Sequence, residues 1–178
     1  MPDRPSRVVL VGFMGSGKSA VGRFLARRLG YRLEDMDRRI QERAGRTIAE
    51  IFRDDGEEAF REMEREEARE LSHLEGRVVA AGGGAFAGAE TRALLQEGAL
   101  TVWLRCDLEQ ILKRVPADGS RPLAGNRDIM RALLAEREPS YRMADVVVDA
   151  SSGTPREVAD RIVGLIEGRN RKRTSARR

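Results

Sequence analysis

The chain has 178 residues, 40% of them hydrophobic, with 33 Lys or Arg against 29 Asp or Glu and a single cysteine. A chain of this size buries about 70% of its unfolded surface on folding, so its core needs neither disulfides nor a structural metal; the lone Cys106 excludes both an internal disulfide framework and a multi-cysteine metal site. The net charge of +4 describes a tail, because residues 169–178 carry six basic side chains and no acid, while the other 27 basic and 29 acidic residues leave the body at −2, which argues against a basic nucleic-acid-binding face.

Arg7 to Val11 is a short aliphatic run, followed by glycines and a helical pattern in which Val21, Phe24, Leu25 and Leu29 recur every three or four residues until Gly30 stops it. Tyr31 to Glu34 is a weaker strand. Helices are predicted over Met36–Ala44, Ile48–Phe52 and about Glu57–Leu74, the last with Phe60, Met63, Leu71 and Leu74 on one face. Val78–Ala81 is a strand that ends in three glycines. A helix near Glu90–Gln96, a strand over Leu100–Leu104 and a helix over Leu108–Val115 follow. Residues 116–126 hold two prolines, two glycines and no periodicity, and are expected to form a mobile loop. Ile129–Arg137 is helical and Val146–Val148 is the last strand. Thr154 and Pro155 open a final helix over Arg156–Glu167 as its cap and first residue. Five short strands alternating with helices predict an α/β domain, its parallel sheet covered on both faces. No apolar run approaches the ~20 residues of a membrane span. The polar stretch 1–7 leads directly into the first strand, so no secretory region is expected, and a cytoplasmic protein is.

Gly12-Phe13-Met14-Gly15-Ser16-Gly17-Lys18-Ser19 fits the phosphate-loop pattern G-x-x-x-x-G-K-[ST], and it falls where that loop belongs, between a strand and a helix. Roughly 0.002 accidental matches are expected in a chain of this composition, so chance is a poor rival. Glycines let successive N–H groups turn inward onto anionic oxygens, and the helix start adds its positive dipole end. In this pattern Lys18 reaches the terminal phosphates and the Ser19 hydroxyl ligates Mg2+. Three lysines stand beside thirty arginines, so a lysine here is not the chain's default cation.

Other features admit two readings each. Gly82-Gly83-Gly84 lies at the carboxyl end of a strand, where ligands of open α/β sheets bind, yet it also suits a plain strand-to-helix turn. Asp35 and Asp37 follow the second strand. Either is a good helix N-cap, and as a pair one carboxylate suits a metal-bound water while the other receives a substrate hydroxyl. Arg61 sits among five glutamates and reads first as a solvated ion pair. Arg121 lies in the proline- and glycine-rich loop and Arg137 at the end of the helix after it, where surface positions are the default. His73 reads as a bystander, and Cys106 and Trp103 as core or core edge.

In order and spacing, Gly12 to Ser19, Asp35-Met36-Asp37, Gly56 to Glu64, Gly82-Gly83-Gly84, Arg121-Pro122-Leu123 and Arg137-Glu138-Pro139-Ser140-Tyr141 together resemble shikimate kinase, from about Arg7 to Gly168. The resemblance implies a P-loop fold of the nucleoside-monophosphate-kinase type, with sheet order 2-3-1-4-5 and MgATP-dependent phosphorylation of the 3-hydroxyl of shikimate. It implies that Gly12, Met14, Gly15, Ser16, Gly17, Lys18, Ser19 and Ala20 hold ATP, with Arg114 and the loop before Pro155 on either side of the adenine. Asp37 would bind the shikimate hydroxyls, including the one that attacks, and Arg61 and Arg137 would clamp the carboxylate beside Gly82, Gly83 and Gly84. Asp35, through water, and Ser19 would hold Mg2+, and Arg121 would come from a lid over 116–126 onto the transferring phosphates. The implied organisation is one kinase domain over 1–168, its substrate-binding region at about 35–62, followed by a disordered basic tail over 169–178. The expected partners are shikimate and ATP, with no membrane or nucleic acid and a monomeric working unit. Ala20, Ala68 and Ala80 depart from the family's usual residues, and Ala80 removes a hydroxyl from the third strand. A gluconate or nucleoside monophosphate kinase, or a nucleotide-dependent RNA-binding factor using the tail, are the alternatives.

Overall fold

The computed structural model describes residues 4–114 and 126–175, with side chains to residue 169. In chain order the elements are β1 (Arg7–Val11), α1 (Lys18–Leu29), β2 (Arg32–Asp35), α2 (Met36–Ala44), α3 (Ile48–Asp54), α4 (Gly56–Ser72), β3 (Arg77–Ala80), α5 (Ala89–Gln96), β4 (Ala99–Arg105), α6 (Leu108–Arg114), α7 (Arg127–Tyr141), β5 (Val146–Asp149) and α8 (Pro155–Ser175). The five strands form one parallel sheet in the order β2-β3-β1-β4-β5. β1 lies at the centre, with Val9 beside Val79 on one side and Thr101 on the other. All five of its residues are buried, as a run without polar alternation requires when helices cover both faces.

Helix α1 packs on β2, β3 and α8, while α5 packs on β4 and α4. The main core fills the space between these layers and the sheet. A smaller cluster of Ile40, Ile51 and Phe60 holds α2, α3 and α4 together, with the Phe52 and Phe60 rings 4.8 Å apart. A capping box between Thr47 and Glu50 starts α3. Because β1 and β3 are neighbours, the loop after β1 and the glycine turn after β3 leave the sheet side by side at its carboxyl edge, where ligands of such sheets bind.

Three helices run past their expected ends, α3 by only two residues, to Asp54. α7 continues through Pro139 to Tyr141. A proline inside a helix loses one intrahelical hydrogen bond, a smaller loss within the final turn than in mid-helix. α8 starts at Pro155 as expected, with Thr154 accepting from the Glu157 amide at 3.3 Å. It does not stop near Glu167, however, and its backbone stays helical to Ser175, which corrects the expectation of an unstructured tail over that stretch. Arg and Lys are good helix formers, and cations suit the negative end of a helix dipole. The expected lid, apart from Asn126, lies outside the described residues, as does Arg121. Asn126 caps α7, accepting from the Asp128 and Ile129 amides. No described helix is long and apolar enough to cross a membrane.

Candidate active site

The loop after β1 is held by sterics as much as by its glycines. Gly12 has φ 142°, and a methyl group there would stand 2.7 Å from the Leu104 carbonyl oxygen. Gly17 is the N-cap of α1 in a left-handed conformation and supplies no side-chain acceptor, so the first amides of that helix face the loop without a capping group. Lys18 Nζ folds over the loop, donating to the Gly12 carbonyl at 2.7 Å and the Phe13 carbonyl at 2.9 Å. The buried Ser16 hydroxyl finds no hydrogen-bond partner among the described residues. Curled amides, an ammonium and an unsatisfied buried hydroxyl together suit a polyanion with many acceptor oxygens.

Asp35 is the N-cap of α2, and its second oxygen faces the phosphate loop. Its Oδ1 accepts from the Arg38 amide at 3.3 Å and caps α2, and its Oδ2 accepts from the Ser19 hydroxyl at 2.5 Å. A hydroxyl and a carboxylate side by side are hard oxygen donors of the kind Mg2+ takes. Asp37, in the first turn of α2, shares a cleft of about 180 Å3 with Gly15, Gly17, Lys18, Ser19, Ala20, Asp35, Ala80 and Ala81. One cavity thus joins the phosphate cradle to the carboxylate expected to receive a hydroxyl. Ala80 brings only a methyl group to that wall, as its sequence departure anticipates, and Ala68 is fully buried on α4.

The glycine turn is where the remaining groups converge. A methyl at Gly82 would lie 2.7 Å from Glu64 Oε1 and 2.9 Å from Asp37 Oδ1. One at Gly83 would lie 3.3 Å from the Met14 amide nitrogen and 3.8 Å from Arg137 Nη1, and one at Gly84 would lie 2.5 Å from Arg61 Nη1. The three glycines therefore leave room for side chains arriving from α2, α4 and α7. Arg61 makes the ion pairs expected of it, to Glu57 at 2.9 Å and Glu64 at 2.5 Å, but it is only partly exposed and lies 5.6 Å from the Phe60 ring centre. Arg137 is nearly buried, 5.8 Å from the Phe13 ring centre. Arg114 donates to the Ala150 carbonyl at 3.1 Å and lies 3.4 Å from Cys106 Sγ, so the structure does bring it to the chain that precedes Pro155.

Two residues of this region were not singled out from sequence. Glu64 is 2% exposed, and burial pushes its carboxyl above the usual range, with Arg61 offsetting part of that and Asp37 adding to it. Burial also works against the Arg61 guanidinium, but Glu64 and Glu57 more than compensate and its pKa rises. A signal for Glu64 exists: Phe60, Glu64, Glu67 and Leu71 follow one another at four, three and four residues, so two acids stand inside the apolar stripe of α4. Tyr141 is fully buried, and its hydroxyl donates to the Gly83 carbonyl.

A family model for shikimate kinase matches residues 14–167. A curated shikimate kinase of Geobacter sulfurreducens is 45% identical, over 93% of this chain and 93% of its own. The solved structure of the Acinetobacter baumannii shikimate kinase in complex with shikimate superposes with a TM-score of 0.90 at 36% identity, covering 94% of this chain and 96% of that one. A Sinorhizobium meliloti gluconokinase covers 92% of this chain and 95% of its own with a TM-score of 0.58, and at 19% identity that likeness is one of fold alone. The chain accordingly belongs to the shikimate kinase family, and its reaction is the ATP-dependent phosphorylation of the 3-hydroxyl of shikimate.

Proposed function

We propose that the reaction is divided among this chain's residues in the way the shared cleft suggests. The loop amides from Gly12 to Ala20, with Met14, Gly15, Ser16 and Gly17 in its bend, hold the triphosphate, and Lys18 leaves the Gly12 and Phe13 carbonyls to contact its terminal oxygens. Arg114 and the turn before Pro155 flank the base. Arg61 and Arg137 grip the shikimate carboxylate with planar forks, and Gly82, Gly83 and Gly84 let the ring approach the backbone. Ser19, and Asp35 through water, are the residues that would hold Mg2+, whose charge helps neutralise the phosphates when it is bound. Arg121 is assigned to the transferring phosphates from the sequence.

Phosphoryl transfer passes through a loose transition state, so most of the protein's work is alignment and charge stabilisation. A carboxylate is a weak base toward an alcohol, and Asp37 therefore orients the attacking hydroxyl and accepts its proton late. The observation that carries this reading is the single cleft lined by both Asp37 and Lys18. Conversion of Asp37 to Asn tests it: turnover at saturating shikimate should fall by at least about 100-fold, and near-normal turnover would refute the role. A single, buried cysteine suits the reducing cytoplasm.

A further inference from the structure

Helix α7 meets the site through two residues one turn apart, Arg137 and Tyr141. The Tyr141 side chain is fully buried, 0% exposed, and its hydroxyl donates to the Gly83 carbonyl, while a methyl at Gly83 would stand 3.8 Å from Arg137 Nη1. Its ring lies 6.0 Å from that of Trp103, and Trp103 Cδ1 would stand 3.5 Å from a methyl at Gly12. Gly83 in turn sits so close to the phosphate loop that a methyl there would be 3.3 Å from the Met14 nitrogen. Tyr141 thus bears on the loop by two routes: through Gly83 to Met14, and through Trp103 to Gly12.

We infer that Tyr141 is a positioning residue that keeps the carboxylate-binding Arg137 and the glycine turn in register with the phosphate loop. The inference rests on the reading of Arg137 as a shikimate-binding group. Its physical basis is that Tyr141 and Arg137 share one face of α7 a turn apart, so the single bond from the phenol to the Gly83 carbonyl sets where that face sits against the glycine turn, and that a carbonyl left without its donor relaxes toward another partner. Burial, opposed in part by Arg137, pushes the phenol pKa up to about 12, so the hydroxyl keeps its proton and its donor role at any working pH. A shift of the acceptor relative to the phosphate of even about 1 Å is costly in rate, up to about 100-fold.

Tyr141→Phe keeps the ring against Trp103 and removes only the oxygen. With both substrates saturating, kcat should fall about tenfold, the KM for shikimate should rise a few-fold, and the KM for ATP should stay within about twofold of wild type. An unchanged kcat, even with a raised shikimate KM, would overturn the inference, because a residue that only props Arg137 affects binding alone. Loss of ATP binding together with a lowered melting temperature would overturn it equally, since that is the signature of plain packing. The wild-type protein is assayed alongside: a chain inactive on shikimate would sink the functional reading and the inference together, whereas an active wild type with an equally active Phe variant would sink the role of Tyr141 alone.

Discussion

Arg61 Nη1 and Glu64 Oε2 lie 2.5 Å apart on neighbouring turns of α4, so the side chain expected to meet a substrate carboxylate is already held by one. Glu64 is buried, and burial raises its carboxyl pKa in the folded chain. A raised carboxyl contributes stability that is complete below the unfolded value of about 4.3 and is lost as pH climbs through the folded one. Glu64→Gln should therefore gain stability relative to wild type as pH rises above about 4.3 in urea titrations. Because Arg61 loses the carboxylate that holds it, the shikimate KM should rise about threefold to tenfold. Parallel stability curves across that range would show that burial is not setting the carboxyl.

Two glycines of the site should respond in opposite ways to alanine. At Gly12 the added methyl meets a backbone oxygen at 2.7 Å with φ at 142°, and neither can give way, so Gly12→Ala should lose about 3 kcal/mol or more in urea unfolding. At Gly84 the methyl meets the end of the flexible Arg61 side chain, at 2.5 Å. Gly84→Ala should fold with a melting temperature close to wild type, yet raise the shikimate KM about tenfold by displacing the guanidinium. Equal destabilisation of the two variants would contradict this division.

The contact between the Ser19 hydroxyl and Asp35 yields a metal test. Ser19→Ala removes one oxygen donor while Asp35 keeps its cap on α2. The Mg2+ concentration for half-maximal rate should rise about tenfold, and kcat should fall at least as much. An unaltered Mg2+ dependence would remove Ser19 from the metal's surroundings.

Legibility from sequence followed how local each signal is. The continuous apolar runs of β1, β3 and β4 and the eight-residue phosphate loop carry their meaning within a few residues, and all stand where they were expected. Asp35 is a cap in the structure, and what its other oxygen serves is not legible locally, because that oxygen meets Ser19, sixteen residues earlier in the chain. Glu64 and Glu67 were hidden because α4 is so rich in acids that two buried ones do not stand out without a three-dimensional stripe. Tyr141 lies four residues past the expected helix end at Arg137; the observed helix runs on through Pro139 and brings the phenol to the Gly83 carbonyl.

Across α2 and α4, Arg39 donates to the buried Glu67 and pairs with Glu34 at 2.9 Å, while Arg43 approaches the other Glu67 oxygen at 3.3 Å. Removing one partner of a buried pair costs more than removing both. Arg39→Met should lower stability by about 3 kcal/mol, and adding Glu67→Leu should recover most of it. Additive losses in chemical denaturation would mean that the pair is not coupled.

The central claim is that one cleft presents a triphosphate to a small hydroxylated acid. Its most direct test offers the purified protein ATP and Mg2+ with shikimate, gluconate or a nucleoside monophosphate in separate reactions and follows ADP release. Release that depends on shikimate, with the other two acceptors at the no-acceptor background, is the predicted result. ADP formation with gluconate or a nucleotide, and none with shikimate, would contradict it.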